Sequence, residues 1–223
     1  MRHTAVVFDL DDTLAASGQV WHEIWLGYRV RHGGGGDQAA VTALLGGADW
    51  DHALAGACGT RPGHAYDACT DEAIDALRTG RIRLLENALE LVAAAAARVP
   101  VALASAAPRR YVTAAAEVLG LREHLTTIVS DQDVTRPKPA PDPYLVAAAR
   151  LGRDPSACVA VEDSATGIRA AHAAGMTVLA IPSRIHPPAG DVLGLAGYRA
   201  PAAGAALAIL TSILREEQPL CSR

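Results

Sequence analysis

Five short apolar runs along the chain predict five buried β-strands, because runs of this length are typical of strands that are covered on both faces. Stretches with helical spacing separate most of the runs. This arrangement predicts an α/β fold with a mainly parallel sheet and helices on both of its faces. The predicted strands cover residues 4–9, 99–104, 126–130, 157–161 and 177–181.

Two helices have readable ends. Asp142 stands before Pro143 and predicts a capping carboxylate ahead of a proline at the first helical position, in a helix that runs to about Leu151. Ser164 is expected to cap another helix, which ends at Gly175 because glycine suits the left-handed conformation at a helix terminus.

The segment formed by residues 15–87 differs from the rest of the chain. It lacks β-rich runs, and its apolar residues recur at helical spacing, as in Trp21, Trp25 and Tyr28. We predict a small helical insert that lies over the strand ends. We expect the three aromatic residues to form the core of the insert rather than a substrate platform. The glycine run at residues 33–36 is expected to connect two insert helices.

The composition narrows the class of protein. The chain has 223 residues, half of them hydrophobic and a fifth charged, which suits a globular domain with a small insert. A net charge of −4 argues against nucleic acid or an anionic membrane as the main partner. There is no apolar signal region at the start and no run long enough to span a membrane, so we expect a cytoplasmic protein. The four cysteines show no close pairing, which favours reduced thiols.

A single lysine, Lys138, stands among the 20 basic residues. A planar guanidinium is not equivalent to a compact ammonium. The retention of one lysine in a chain that otherwise uses arginine therefore predicts a site that requires an ammonium group.

Polar side chains follow four of the predicted strands. Ligands of open parallel α/β sheets bind outside the carboxyl ends of the strands. We therefore expect these side chains to converge on one site; they are Asp9 with Asp11, Ser105, Lys138, and Glu162 with Asp163.

Charge predicts how these residues divide the chemistry. Asp9, Asp163 and Glu162 offer the hard oxygen ligands that suit Mg²⁺. Beside a divalent cation and an ammonium, Asp9 can approach a phosphate and form an aspartyl-phosphate intermediate. Asp11 can protonate the departing alkoxide and later accept a proton from the attacking water.

Other groups are candidates for binding the phosphate. Ser105, the backbone N–H of Ala106 and Lys138 can stabilise the oxygens of the transferring group. Arg109 follows Ser105 closely and is a candidate for substrate contact, although a solvated arginine at the start of a helix is the favoured interpretation.

Some assignments stay open at this point. Glu162 either contacts the metal or orients Asp163. Asp131 and Asp133 form a second spaced acid pair, which we expect to be solvated on a loop. His22 is the histidine placed nearest the junction with the insert, and a core or surface role is favoured over substrate contact.

The motifs resemble those of the haloacid dehalogenase superfamily, mainly its phosphatases. The first motif corresponds to residues 9–13 and the second to residues 103–105. The third corresponds to residues 138–142 and the fourth to residues 161–164, continuing to Gly175. The last two motifs resemble the β-phosphoglucomutase-like branch.

The resemblance implies a Rossmann-like, three-layer α/β/α core, formed by residues 1–14 and 88–223, with a helical cap domain at residues 15–87. It also implies that the main-chain carbonyl of Asp11 joins Asp9 and Asp163 on Mg²⁺.

Two departures from the mutase pattern favour a hydrolase. Trp21 stands where the mutase has a cap histidine, and the cap arginine expected a few residues after Gly46 falls on Asp49 or Trp50. We therefore predict a Mg²⁺-dependent phosphatase, a monomer or weak homodimer, that acts on a small phosphorylated metabolite. A phosphosugar mutase is the first alternative. A haloacid dehalogenase, which lacks the second acid, and a non-catalytic metabolite-binding protein are less favoured.

Overall fold

A six-stranded parallel sheet forms the centre of the computed structural model, which describes residues 3–44, 49–183 and 185–215. The strand order is β3-β2-β1-β4-β5-β6, so that β1 lies between β2 and β4. The strands are β1 (Ala5–Phe8), β2 (Val101–Ala104), β3 (Thr127–Val129), β4 (Cys158–Glu162), β5 (Thr177–Ala180) and β6 (Tyr198–Arg199).

All five strands expected from the apolar runs are present, and each lies inside or within one residue of its predicted range. The edge strand β6 was not predicted. It contains two residues, and both are exposed. A segment that short and that polar carries no hydrophobic pattern from which a strand could be inferred.

Ten α-helices occur within the described residues. Five lie between β1 and β2, namely α1 (Gly18–Arg31), α2 (Gln38–Thr42), α3 (Trp50–Cys58), α4 (Pro62–Arg78) and α5 (Ala88–Ala96). The others are α6 (Arg109–Val118), α7 (Asp142–Leu151), α8 (Ala165–Ala173), α9 (Gly190–Leu193) and α10 (Ala203–Arg215). Short 3₁₀ turns cover Arg122–His124, Asp131–Asp133 and Pro155–Ala157.

The sheet is covered on both faces, which confirms the three-layer α/β/α architecture. Val6 and Phe8 of β1 belong to a core that also contains residues of α1 to α6 and of α10. Ala5 and Val7 point the other way, into a second core with α7, α8 and α9. Because alternate residues of a strand face opposite sides, burial on both faces requires the continuous apolar runs seen in the sequence.

The two predicted helix starts have different outcomes. Ser164 caps α8 as expected, since its side chain accepts a hydrogen bond from the backbone N–H of Gly167. Gly175 has φ 81° just beyond that helix. The assignment of Asp142 as a cap was wrong, because Asp142 is the first helical residue of α7 and Pro141 precedes it without a side-chain cap. The Asp142 carboxylate instead pairs with Arg136.

The segment between β1 and α5 is helical, as its spacing predicted. Tyr28 is fully buried, and the glycine run at residues 33–36 lies between α1 and α2. The helix α4 packs against α1 and α3 and also against α6 of the sheet region. The division of the chain into core and cap domains stays a prediction.

Two compositional expectations concern membrane spans and thiols. Within the described residues, no helix combines the length and the apolar character that a membrane crossing requires. Cys58, Cys69 and Cys158 are free thiols, as expected, and Cys221 lies outside the described residues.

Candidate active site

The strand register brings the predicted site residues to one edge of the sheet. Phe8 of β1 is level with Leu103 of β2 and with Val161 of β4. The residues that follow, Asp9 and Glu162 among them, therefore leave the sheet side by side at its carboxyl edge. This geometry explains why residues that lie far apart in the sequence converge.

Lys138 lies at the centre of this cluster. Its Nζ donates to Asp9 Oδ1 and to Glu162 Oε1, both at 2.6 Å, and to the carbonyl of Ala104 at 3.1 Å. Its side chain is 4% exposed. Burial disfavours the charged ammonium, but the two carboxylates outweigh burial and raise the pKa of Lys138 above its usual value. The lone lysine is thus a fixed cation inside the site.

Asp9 keeps one carboxylate oxygen free of Lys138. Burial raises the pKa of Asp9 to about 7, against the attraction of Lys138. A cation placed beside this carboxylate would favour its ionised form, which is the form that acts as a nucleophile.

Glu162 organises Lys138, and both of its carboxylate oxygens are in use. Oε1 accepts from Lys138 and from the Tyr144 hydroxyl at 2.7 Å. Oε2 accepts from the backbone N–H groups of Asp163 and Ser164 and from the Ser164 hydroxyl, at 3.0–3.1 Å. Lys138 outweighs burial and lowers the pKa of Glu162. Glu162 thus positions Lys138 and the start of α8, and its oxygens also lie near those of Asp9 and Asp163. Direct contact of Glu162 with a metal stays a prediction.

The close approach of α8 to Glu162 requires a glycine. A Cβ added to Gly167 would lie 1.7 Å from Glu162 Oε1. We expect Gly167→Ala to lower the free energy of unfolding by about 1–3 kcal/mol, because the overlap must displace the carboxylate or the helix. Chemical denaturation with and without the substitution measures this change.

Gly56, an exposed glycine inside α3, provides the matched control, since a Cβ there meets no atom within 4 Å. Gly56→Ala should stabilise the protein by up to about 1 kcal/mol. A stabilising effect of the same size at Gly167 would contradict the close packing of Glu162.

A divalent cation fits between Asp9 and Asp163. One ligand oxygen from each, together with one from Glu162, lie within 4.8 Å of one another. Asp163 Oδ1 accepts from the Thr13 hydroxyl at 2.8 Å, which orients the carboxylate. Burial raises the pKa of Asp163 well above its usual range, with the charges of Glu162 and Asp9 adding to the effect. Clustered acidic oxygens of this kind are the ligands of hard divalent cations.

Asp11 is held by three hydroxyl groups. Oδ1 accepts from Ser17 at 2.6 Å and from Tyr111 at 2.9 Å, and Oδ2 accepts from Ser105 at 3.2 Å. Burial raises the pKa of Asp11, against the effect of these donors. A raised pKa suits a group that must carry a proton to a leaving alkoxide. Tyr111 was not predicted, because nothing in the local sequence of α6 marks its hydroxyl.

The turn from β1 to α1 has a specific geometry. Asp12 adopts φ 59°, and its Oδ1 accepts from the backbone N–H groups of Ser17 and Gly18 at 3.2 and 2.9 Å. These bonds cap the start of α1. Gly18 permits the contact, because a Cβ there would lie 2.1 Å from Asp12 Oδ2.

Ser105 and Ala106 lie where the second motif predicted. Both line the cavity, and the Ser105 hydroxyl accepts from the backbone N–H of Ala107 at 3.0 Å. Arg109 lies elsewhere: it starts α6, and its guanidinium pairs with Asp133 at 2.8 Å. This position agrees with the favoured interpretation of a helix-start arginine and does not support its assignment to substrate binding.

The second acid pair is not solvated, so that expectation was wrong. The side chain of Asp133 is 4% exposed, closes a capping box with Ser130 and pairs with Arg109 and Arg150. Asp131 accepts from the hydroxyl of Tyr66 in α4 at 2.6 Å. Both carboxylates have structural partners that lie distant in the sequence, which is why the local sequence suggested a solvated loop.

A cavity of about 260 Å³ lies between the sheet edge and the helices α1 and α3. Trp21, Trp25 and Trp50 line it. The expectation that the aromatic residues of α1 form only insert core is therefore correct for Tyr28 and incomplete for the two tryptophans. His22 is not among the lining residues and contacts the Thr42 hydroxyl at 3.2 Å. Gly46 lies outside the described residues.

The cavity is lined by predicted site residues and also by residues that the sequence did not single out. On the sheet side, Asp9, Asp11, Lys138 and Asp163 face it. His186, from the segment after β5, completes the lining and had no motif around it. The cavity therefore joins a cluster of acidic residues around one ammonium to a wall of indole rings.

A family model for haloacid dehalogenase-like hydrolases matches residues 3–175. The chain belongs to this family. The match includes the four motifs and the residues that the structure gathers around Lys138, and the chain is a phosphatase of the branch that resembles β-phosphoglucomutase.

Individual relatives agree with this assignment. The chain is 30% identical over 181 residues to a fructose-1-phosphate phosphatase of Escherichia coli, covering 78% of this chain and 94% of that one. It is 30% identical over 228 residues to the protein CbbY of Rhodobacter capsulatus, covering 92% and 96%. A crystal structure of a putative β-phosphoglucomutase from Thermotoga maritima superposes with a TM-score of 0.71 at 22% identity, covering 96% and 100%. The last similarity concerns the fold.

Proposed function

We propose that this phosphatase hydrolyses the monophosphate ester of a small sugar-like metabolite, with Mg²⁺ as its metal and a phosphorylated Asp9 as its intermediate. The observation that carries the proposal is the 2.6 Å contact of the buried Lys138 ammonium with Asp9, with Asp163 and Asp11 at the same sheet edge. The names of the relatives, among them a fructose-1-phosphate phosphatase and a hexitol phosphatase, support a sugar phosphate as substrate.

The first chemical step transfers the phosphoryl group to Asp9. The free carboxylate oxygen of Asp9 attacks phosphorus as the bond from phosphorus to the ester oxygen breaks. Asp11 gives its proton to the departing oxygen, so the alcohol leaves neutral. Lys138 and the Ser105 hydroxyl stabilise the negative charge on the phosphoryl oxygens.

The second step restores the enzyme. A water molecule gives a proton to Asp11 and attacks phosphorus, and the bond from phosphorus to Asp9 breaks. Asp9 and Asp163 would hold Mg²⁺, whose positive charge would reduce the repulsion between carboxylate and phosphate.

The structure favours a hydrolase over its rivals at two positions. A dehalogenase has no alkoxide to protonate, whereas here three hydroxyl groups hold Asp11 in the site. A mutase must hold a second phosphate on its cap, and its cap arginine corresponds here to Asp49 or Trp50, of which Trp50 lines the cavity with an indole.

Release of inorganic phosphate from a panel of phosphorylated metabolites, with and without Mg²⁺, tests the proposal. We expect release that depends on Mg²⁺ and needs no bisphosphate activator. Release that requires a bisphosphate and yields an isomerised phosphosugar would identify a mutase instead.

The role of Asp11 predicts a dependence on the leaving group. Asp11→Asn should lower kcat/KM for a sugar phosphate by about 100-fold or more, and much less for p-nitrophenyl phosphate, whose phenolate leaves without a proton. The parameter kcat/KM is the one to measure, because it reports the steps up to phosphoryl transfer and excludes the later attack of water.

Tyr111→Phe is the matched variant, since it keeps the acid and removes one hydroxyl donor from Asp11. We expect a smaller loss of kcat/KM, which is again larger for esters with poor leaving groups. If Asp11→Asn slowed both esters equally, Asp11 would not be the acid.

A further inference from the structure

Three indole rings form a continuous surface on the cap side of the cavity, which we call the aromatic wall: Trp21, Trp25 and Trp50. Trp25 and Trp50 are stacked, with centroids 5.5 Å apart and an interplanar angle of 27°. Trp21 lies 5.6 Å from Trp25 and 5.8 Å from Trp50. Each residue is 5% exposed, so the wall is rigidly packed and presents a limited area to the cavity.

The packing of the wall follows from the sequence. Trp21 and Trp25 are four residues apart on α1 and share one face of that helix. Trp50 is the first residue of α3 and closes the wall from the other side. Tyr66 stacks on Trp50 with ring centroids 5.8 Å apart, which holds the indole in place.

The cap side of the cavity is uncharged over the described residues. The helices α1 and α3 contribute Gly18 and the three indoles to the lining. Lys138 lies on the opposite side and is already bound to Asp9 and Glu162. A second phosphate or a carboxylate pointing towards the wall would lose its hydration without gaining a cation.

One polar atom of the wall lacks a partner. The indole N–H of Trp25 is buried and donates no hydrogen bond within the described part of the chain. That nitrogen is covered by the surrounding protein, so Trp25 contacts a ligand in the cavity through its ring carbons.

We infer that the substrate is the monophosphate of a small polyhydroxylated ring, such as a pyranose or a cyclitol, whose C–H face lies on the aromatic wall. This inference rests on the proposed function and narrows its substrate class. The phosphate lies over Asp9 and Lys138, and the ring lies against the indoles. The cavity of about 260 Å³ is at the small end of ligand sites, which suits a single ring.

Matched substrates test the inference with the wild-type protein. Glucose 6-phosphate and sorbitol 6-phosphate differ in ring closure, as do mannose 6-phosphate and mannitol 6-phosphate, and myo-inositol 1-phosphate adds a cyclitol. We expect kcat/KM of the best cyclic ester to exceed that of the linear esters by about tenfold or more, since stacking on aromatic rings is worth that much. Glucose 1,6-bisphosphate should be a poorer substrate than glucose 6-phosphate.

Acetyl phosphate separates the two proposals, because it has a good leaving group and no ring. Absence of Mg²⁺-dependent phosphate release from acetyl phosphate would overturn the proposed function and this inference with it. If acetyl phosphate is turned over, any one of three results would overturn the inference alone. These results are equal or better use of linear esters, preference for the bisphosphate, and rejection of every cyclic ester.

A variant locates the preference on the wall. Trp25→Leu should lower the ratio of kcat/KM for the best cyclic ester to that for acetyl phosphate by about tenfold. Trp25→Phe keeps an aromatic side chain at this position and should restore part of that ratio. Tyr198→Leu, which replaces a partly exposed aromatic residue of β6 outside the cavity, should leave it unchanged. An unchanged ratio in a folded Trp25→Leu protein would contradict the inference. If that variant does not fold, the comparison of cyclic and linear substrates with the wild-type protein decides the inference.

Discussion

Replacement of Asp9 by asparagine should lower phosphate release by at least roughly 1,000-fold, because an amide oxygen cannot form the aspartyl-phosphate intermediate. The substitution keeps the shape of the side chain. Lys138 also keeps its second carboxylate partner, Glu162, at 2.6 Å, so the ammonium stays paired. We therefore expect circular dichroism and thermal unfolding to show a folded protein, and a phosphate-release assay to show the loss of activity.

The control is Asp71→Asn, the same change at an exposed aspartate that pairs with Arg110 on the surface. This variant should retain full activity. If Asp9→Asn kept more than about a hundredth of the wild-type rate, the nucleophile would be a different group. A covalent phosphate found on wild-type protein after rapid acid quenching, and absent from Asp9→Asn, would add direct evidence for the assignment.

The sheet could be predicted from the sequence because burial on both faces leaves little choice of residue. Val6, Phe8, Val101 and Leu103 lie in strands whose residues are all buried, and the apolar run marks each strand to within one or two positions. The edge strand β6 lacks that constraint, since its residues face solvent on an outer position of the sheet.

Much of the site could be predicted for a related reason. Asp9, Asp11, Ser105 and Asp163 come directly after buried strands, and parallel strands deliver their carboxyl ends to one edge. Lys138 could be singled out because it is the lone lysine.

The contacts that the sequence did not reveal are made by helices. The Tyr111 hydroxyl reaches Asp11 from α6, and Trp50 reaches the cavity from α3. Such contacts depend on how helices pack, and helical spacing alone does not fix that packing. The role of Glu162 depended on knowing that Tyr144 and Ser164 occupy its oxygens.

The lone lysine leads to the second large effect. Lys138→Arg should lower kcat/KM by about 100-fold or more, because a guanidinium cannot reproduce the contacts of the ammonium, and loss of one such contact at a reacting group has effects of that order. One nitrogen now contacts Asp9 Oδ1, Glu162 Oε1 and the Ala104 carbonyl within 3.1 Å. A guanidinium spreads its donors over a wide planar fork, and the buried site has no room for the fork without moving Asp9. Steady-state kinetics on a sugar phosphate and on acetyl phosphate measures the loss.

Two further variants show whether charge or shape is responsible. Arg136→Lys makes the reverse exchange two residues earlier, at an exposed arginine paired with Asp142, and should change little. Lys138→Met removes the cation and leaves Asp9 and Glu162 buried without it, which should lower the free energy of unfolding by about 3–5 kcal/mol. Near-normal activity of Lys138→Arg would mean that any positive charge suffices at this position. A loss of activity in Lys138→Arg with little loss of stability would place the requirement in the geometry of the ammonium itself.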